Sequence, residues 1–273
     1  MTAFAGLDLA RRLERAEGDA CVKFTEAHRR VLPDSGAEWI ECAGAYAAFN
    51  GAGSPVTQTF GLGVFEPITP GILDRLERFF HERGAPVHHE ICPLAGVPAL
   101  DLLCSRGYRP IELSSVLFRP VDTLAAPPPG NIAVRLIGPA ESPLWARTGA
   151  RGWMTEHPEL EAMLLELGTI YAAREDPLCF LAEIDGEPAA AGALSIHEGV
   201  ALFAGASTVP AFRRRGLQAA LLQARMRHGA ERGCDLAMMV AEAGSGSQRN
   251  AERQGFRIAY TRTKWQLASA PSR

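Results

Sequence analysis

The sequence predicts an α/β protein with a mixed, α+β-like sheet, built as two similar tandem domains. Three observations predict it. Helical stretches alternate with short apolar runs such as "LCFLAEI" and "DLAMMVA", which read as buried strands between helices. A run of three prolines interrupts the chain near its middle. The segments that close each half echo one another.

The break is "LAAPPPGN", Leu124 to Asn131. Consecutive prolines donate no backbone hydrogen bonds and favour a stiff extended chain. The expected division is a domain over 1–124, a linker over 125–130, a second domain over 131–268 and a disordered tail over 269–273. With 273 residues, each half has an ordinary domain size. Gly107-Tyr108-Arg109 aligns with Gly255-Phe256-Arg257, each after a helix and before an alternating strand. "ERGAP" (Glu82 to Pro86) aligns with "ERGCD" (Glu231 to Asp235) in the same way. Helix–Gly–strand junctions are common, but two matches at nearly one offset point to a duplication.

In the second half, "SPLWARTGARGW" and "HPELEAMLLELGTIYAAR" have helical character, the latter with an early proline. A three-strand meander follows: "LCFLAEI", the Asp185-Gly186 turn, "AAAGALSIH", the Glu198-Gly199 turn and "VALFAGASTV". A basic stretch then opens a helix reaching about Arg232. "DLAMMVA" is a strand, "GSGSQRNAERQ" a loop and short helix, and "FRIAYTRTKWQL" the last strand. In the first half, "FGLGVFEPITPGILDRLERFF" reads as strand, short turn and helix.

Composition narrows the function. Hydrophobic residues make up 47% and charged residues 22%, with a net charge of −3, so nothing global attracts nucleic acid or an anionic membrane. No apolar run approaches the ~18 residues of a membrane span, and the N-terminus has no secretory apolar core. The six cysteines are scattered without a C-x-x-C pair, which predicts reduced thiols, a cytoplasmic protein and no metal. His88 and His89 are adjacent on a strand and point to opposite faces, so they do not make a metal site either.

"VPAFRRRGLQAALLQA", Val209 to Ala224, carries the chemistry. A helix start leaves N–H groups without intrahelical partners and bears partial positive charge. Arg213, Arg214 and Arg215 add cations where stability favours acids, an arrangement that makes sense if an anion sits on top. Gly216 has no Cβ and lets backbone approach a ligand. The bland alternative is a solvated, charged loop.

Here the second half resembles the GNAT superfamily of N-acetyltransferases over roughly Asn131 to Leu267. That family has a strand, Val-x-Pro, and then [Q/R]-x-x-G-x-[G/A] opening a helix. In this sequence Thr208 stands at the Val position, Pro210 and Arg213-x-x-Gly216 match, and Gln218 stands where Gly or Ala is usual. Family members also carry Asn-x-x-Ala-x-x-x-Tyr, where this chain has Gly244, Ser247 and Ala251. The first half resembles a worn copy. It lacks the R-x-x-G loop between Pro67 and Ile72, so it is expected not to bind coenzyme and to wall the substrate cleft.

The resemblance implies acetyl-CoA as cosubstrate. Backbone around Ser207, Thr208 and Val209 would pair with the pantetheine arm. The N–H groups of Arg214, Arg215, Gly216, Leu217, Gln218 and Ala219, with arginine side chains including Arg213, would hold the pyrophosphate. Ser247 and Asn250 would approach the pantetheine or thiol end.

The implied reaction is direct attack of a primary amine, on a small molecule or peptide, at the thioester. A Tyr often protonates the departing thiolate in this family. Ala251 takes its place here, which leaves Tyr260 as the nearest substitute. Glu183, His197 and Glu242 are the candidate bases, with a water relay as an equal route. Trp153, Met154 and His157 are candidates to line the acceptor site, and Glu90 is a candidate cleft carboxylate. The expected partners are the amine acceptor alone, with no nucleic acid and no membrane, for a monomer or homodimer. The alternative is a non-catalytic acyl-CoA-binding sensor or scaffold module, which the missing Tyr would permit.

Overall fold

The computed structural model describes residues 4–121, 131–154 and 158–268. The expected linker (125–130) and tail (269–273) lie outside the described residues, as does His157. In chain order the elements are α1 (Leu7–Val31), β1 (Glu38–Cys42), β2 (Ala45–Phe49), β3 (Gln58–Phe60), α2 (Pro70–His81), β4 (His88–Ile91), α3 (Val97–Ser105) and β5 (Tyr108–Pro120). They continue with β6 (Ile132–Leu136), α4 (Ser142–Met154), α5 (Glu161–Ala172), β7 (Leu178–Ile184), β8 (Glu187–His197) and β9 (Val200–Thr208). The last are α6 (Leu217–Glu231), β10 (Leu236–Glu242), α7 (Gly246–Arg253) and β11 (Arg257–Leu267). None of these helices is long and apolar enough to cross a membrane.

The chain forms two compact units. Unit 1 comprises Met1–Leu117, Ala241–Gln248 and Ile258–Arg273, and unit 2 comprises Phe118–Val240 and Arg249–Arg257. This differs from a single cut in the proline run. The final strand, β11, belongs with the N-terminal residues, and the end of β5 belongs with the C-terminal ones. The sequence gives no local sign of this, because which strands pair is a long-range choice.

In unit 1 the strand order is β1-β2-β3-β4-β11-β5. β1 and β2 form an antiparallel hairpin, β3 and β4 meet in parallel at Thr59↔His89, and β11 pairs antiparallel with β4. Leu73, Leu76 and Phe80 of α2 fall on one helical face, and all three are fully buried against Val87, Ile91, Leu103 and Trp265. Each such side chain contributes about 1.5–3 kcal/mol. α2 begins at Thr69, whose Oγ1 accepts from the Ile72 N–H, with Pro70 in its first turn.

β11 is locked into unit 1 by charge. Tyr260, Arg262 and Lys264 alternate along it, on one face. The Tyr260 hydroxyl donates to Glu14 at 2.8 Å. Arg262 pairs with Glu17 at 2.6 Å and Glu90 at 3.0 Å, and Lys264 pairs with Glu112 at 2.9 Å. Glu14 is enclosed, and burial pushes its carboxyl above the usual range against the pull of Arg262.

In unit 2 the order is β10-β9-β8-β7-β6. The expected three-strand meander gains a fourth strand, β6, paired antiparallel to β7 from Ile132↔Ile184 to Leu136↔Phe180. This strand is short and mostly half-exposed, so it carries no strong apolar alternation. Both predicted tight turns are present. Asp185-Gly186 and Glu198-Gly199 have positive φ at both positions, as two-residue hairpins of this hand require. Trp145, Ala146 and Ala172 from α4 and α5 pack on Cys179, Leu181, Ala191 and Ala193. The residues between them, Phe180 and Gly192, meet His228 and Arg225 of α6. Strand alternation therefore puts α4 and α5 on one face and α6 on the other.

The aligned glycines share a conformation. Gly84 (φ 63°) and Gly233 (φ 78°) close α2 and α6, while Gly107 (φ 85°) and Gly255 (φ 81°) follow α3 and α7. At the first pair the next N–H reaches back to the helix in the same way, Ala85 to Phe80 O at 3.0 Å and Cys234 to Gly229 O at 2.9 Å.

Candidate active site

The candidate site lies in unit 2, where β9 ends and α6 begins. Pairing of β9 with β10 is parallel and runs from Val200↔Leu236 to Phe203↔Met239. β9 then continues to Thr208 beyond the last of these pairs. On its other side, Ala204 pairs with Ala193 and Ser207 with Ala191. Three steps on β9 thus oppose two on β8, a bulge at Gly205-Ala206. Gly205 has φ 55°, which suits a glycine there. The sequence held one unread signal for this, a glycine inside an otherwise continuous strand.

The chain turns at Val209. Its N–H donates to Ala189 O at 2.9 Å, and its carbonyl accepts from the Phe212 N–H at 2.9 Å. Both main-chain groups are therefore engaged, which corrects its expected pairing with a ligand; Val209 anchors the turn instead. Main-chain direction alternates along a strand, so Thr208 faces away from β8. Its carbonyl accepts a long hydrogen bond from Arg213 Nε at 3.4 Å.

Arg214 adopts φ 64°, an uncommon conformation for a residue with a Cβ. Gly216 then caps α6 with φ 91°, and no side chain caps the helix. The first ladder bond runs from Ala220 N–H to Gly216 O at 3.0 Å. The N–H groups of Gly216, Leu217, Gln218 and Ala219 precede that ladder. No acidic residue occupies the first turn, and Arg213, Arg214, Arg215 and Gly216 are exposed. Partial and full positive charges converge there on solvent, an arrangement suited to phosphate.

The arginines have distinct duties. Arg213 Nη2 donates to Gly152 O at 2.8 Å and ties the loop to α4. Arg215 lies over the Phe212 ring at 5.5 Å. Gln218 Nε2 donates to Thr208 Oγ1 at 2.7 Å. The Ser207 side chain is buried and donates to Gly149 O at 2.7 Å, so only its backbone remains for a ligand. α4 presses close: a Cβ on Gly152 would lie 2.5 Å from Ser207. Trp153, the next residue, is 46% exposed, which favours a surface role over a core one.

Other sequence candidates fall elsewhere. Tyr260 is buried in unit 1 with its hydroxyl on Glu14, and burial raises its pKa well above the usual value. That makes it a poor proton donor and corrects its expected role. Glu183 receives Arg135 Nη2 at 2.9 Å, and the same guanidinium holds Glu141. Glu183 is thereby a structural ion pair of the β6–β7 edge, which corrects its expected role as a base. His197 pairs with Val200 at the opposite end of β9, about 17 Å of strand from the bulge. Glu90 is buried against Arg262. Ser247 and Asn250 are both exposed on α7, Ser247 in unit 1 and Asn250 in unit 2, as is Glu242 at the end of β10, in unit 1. Ala251 is fully buried.

This architecture is shared with known acetyltransferases. The chain is similar to a GCN5-related N-acetyltransferase from Kribbella flavida, with a TM-score of 0.69 at 16% identity over 96% of both chains. It is similar to a GCN5-related N-acetyltransferase from Sphaerobacter thermophilus (TM-score 0.54, 18% identity, 84% of this chain and 78% of that one). A tandem GNAT protein from the clavulanic acid biosynthesis pathway has the same fold (TM-score 0.59, 15% identity, 84% and 79%). No curated protein matches the sequence. Residues 144–256 match the model of the acetyltransferase (GNAT) family. Residues 144–256 therefore resemble a GNAT acetyltransferase domain, and that family implies acyl-CoA-dependent acetyl transfer.

Proposed function

We propose that this protein is an acetyl-CoA-dependent N-acetyltransferase acting on a primary amine of a small molecule or peptide. One observation carries the reading: the uncapped start of α6, behind three arginines, adjoins the stretch of β9 that runs past its β10 partner and bulges at Gly205-Ala206. The pyrophosphate binds the N–H groups from Arg214 to Ala219 with arginine side chains beside them. The pantetheine arm lies along the outward main chain of β9 at Thr208, and Asn250 is the α7 residue proposed to reach it. The thioester carbonyl meets the bulge, where main-chain N–H groups stabilise the developing oxyanion.

The amine nitrogen forms its bond to the carbonyl carbon, and the C–S electron pair leaves on sulfur. The nitrogen gives up one proton to water and the thiolate takes one from water, so no side-chain acid or base is required. Trp153 borders the acceptor. Unit 1 is proposed to bind no coenzyme. Its corresponding helix start is already satisfied by Thr69 and Pro70. The absence of a disulfide among the six cysteines of the described residues supports a cytoplasmic setting.

A second reading, an acyl-CoA-binding sensor or scaffold, draws support from Ala251 at the position of the family's Tyr. Incubation with acetyl-CoA and a broad amine panel, following thiol release, separates the two. Turnover with at least one amine is expected. Binding without turnover across the panel would assign the sensor role.

A further inference from the structure

Arg225, in the middle of α6, is fully buried and pairs with no carboxylate among the described residues. Its Nη1 donates to Ala193 O at 3.1 Å and to Ala204 O at 3.4 Å, and its Nε donates to Leu221 O at 3.1 Å. Ala193 and Ala204 are the register pair immediately before the bulge. The guanidinium therefore occupies the point where the β8–β9 ladder opens. The chain makes room for it at Gly192, where an added Cβ would sit 3.3 Å from Arg225 Cζ. The ring of Phe203 lies 4.9 Å away.

A buried cation without a counter-ion is costly to fold, and replacement by a hydrophobic side chain is often harmless or better. An apolar residue would also remove the guanidinium's hydrogen bonds to the two carbonyls. The whole device sits under one short stretch of backbone, on the α6 face of the sheet. Resting on the acetyl-transfer reading above, we propose that Arg225 is a positioning residue for that reaction. It holds the two ladder carbonyls from beneath, fixes the bulge so that the main chain of Gly205 and Ala206 meets the thioester carbonyl, and adds buried positive potential behind the developing oxyanion.

The test uses the full-length protein and acetyl-CoA carrying 13C at the thioester carbonyl. Isotope-edited infrared spectroscopy reads the polarisation of that carbonyl, and calorimetry reads affinity for CoA. In the wild type, the carbonyl stretch falls on binding. Arg225→Met is expected to lose at least about half of that fall, while affinity for CoA stays within about threefold, since the phosphate seat is untouched. Thiol release with any accepted amine should drop by about tenfold or more. Gly192→Ala, which displaces the guanidinium by a few tenths of an ångström, should move the stretch the same way by less and serves if the Met variant does not fold. A folded Arg225→Met protein, or failing that Gly192→Ala, with the wild-type carbonyl shift overturns the inference. A wild-type protein that binds no acetyl-CoA instead overturns the functional reading beneath it.

Discussion

Gln218, the second residue of α6, donates from Nε2 to the Oγ1 of Thr208, the last residue of β9, at 2.7 Å. The residue that departs from the small side chain usual at this place in the family thus ties the helix start to the strand end. The proposed phosphate seat and the proposed pantetheine track are then held in one geometry by a side chain, as well as by the turn between them. Gln218→Ala removes a net ~1 kcal/mol of hydrogen bonding. It is expected to weaken acetyl-CoA binding by about fivefold with little change in melting temperature, as calorimetry and thermal melts would read.

The arginine loop should separate binding from folding. Arg213→Glu combined with Arg215→Glu places two anions at the proposed phosphate seat. Affinity for acetyl-CoA is expected to fall by about 100-fold or more. Both side chains are exposed, so melting should stay cooperative, with a loss of about 1 kcal/mol from the Arg213–Gly152 tie. Unchanged affinity would count against the phosphate seat.

Tyr260→Phe distinguishes a proton donor from a core residue. The hydroxyl serves Glu14 inside unit 1, so the variant should lose about 1–3 kcal/mol of stability. Its rate of thiol release should remain within about twofold, whereas loss of a general acid would lower that rate by roughly 100-fold or more.

Acid sensitivity should trace in part to His89. Its ring is enclosed, with Nε2 3.0 Å from the Tyr108 hydroxyl, and burial, with His88 adding, pushes its pKa down to about 3. In the unfolded chain it titrates near 6.5. Below that pH the unfolded state takes up a proton that the folded state refuses. The contribution is therefore present above about pH 6.5 and lost as pH falls toward about 3, at ~1.4 kcal/mol per pH unit. Between pH 7 and 5, urea unfolding of His89→Gln should show a decline shallower than the wild type by about 1–2 kcal/mol.

Much of this arrangement was legible from local chemistry. Asp-Gly and Glu-Gly marked both hairpins, and the glycines at 84, 107, 233 and 255 marked the shared junctions. Three cations at an uncapped helix start marked the proposed phosphate seat. What escaped was decided by distant residues. Nothing near Tyr260 says that its strand lies beside β4, facing Glu14 from a helix almost the whole chain away. Nothing near Glu183 announces Arg135, because β6 lacks a strong strand pattern. Arg225 reads in sequence as one more polar position on a helix, and only the bulge gives it a task.

The placement of β11 also constrains how the molecule comes into being. It sits between β4 and β5 in the N-terminal unit, yet it is translated after every other described strand. During synthesis, β4 and β5 wait with unmatched edges until the ribosome has delivered residue 267, a window in which open edges invite association between nascent chains. A gene split in the proline run would make that wait permanent. The amino-terminal fragment should aggregate alone and be rescued by a peptide spanning 257–267.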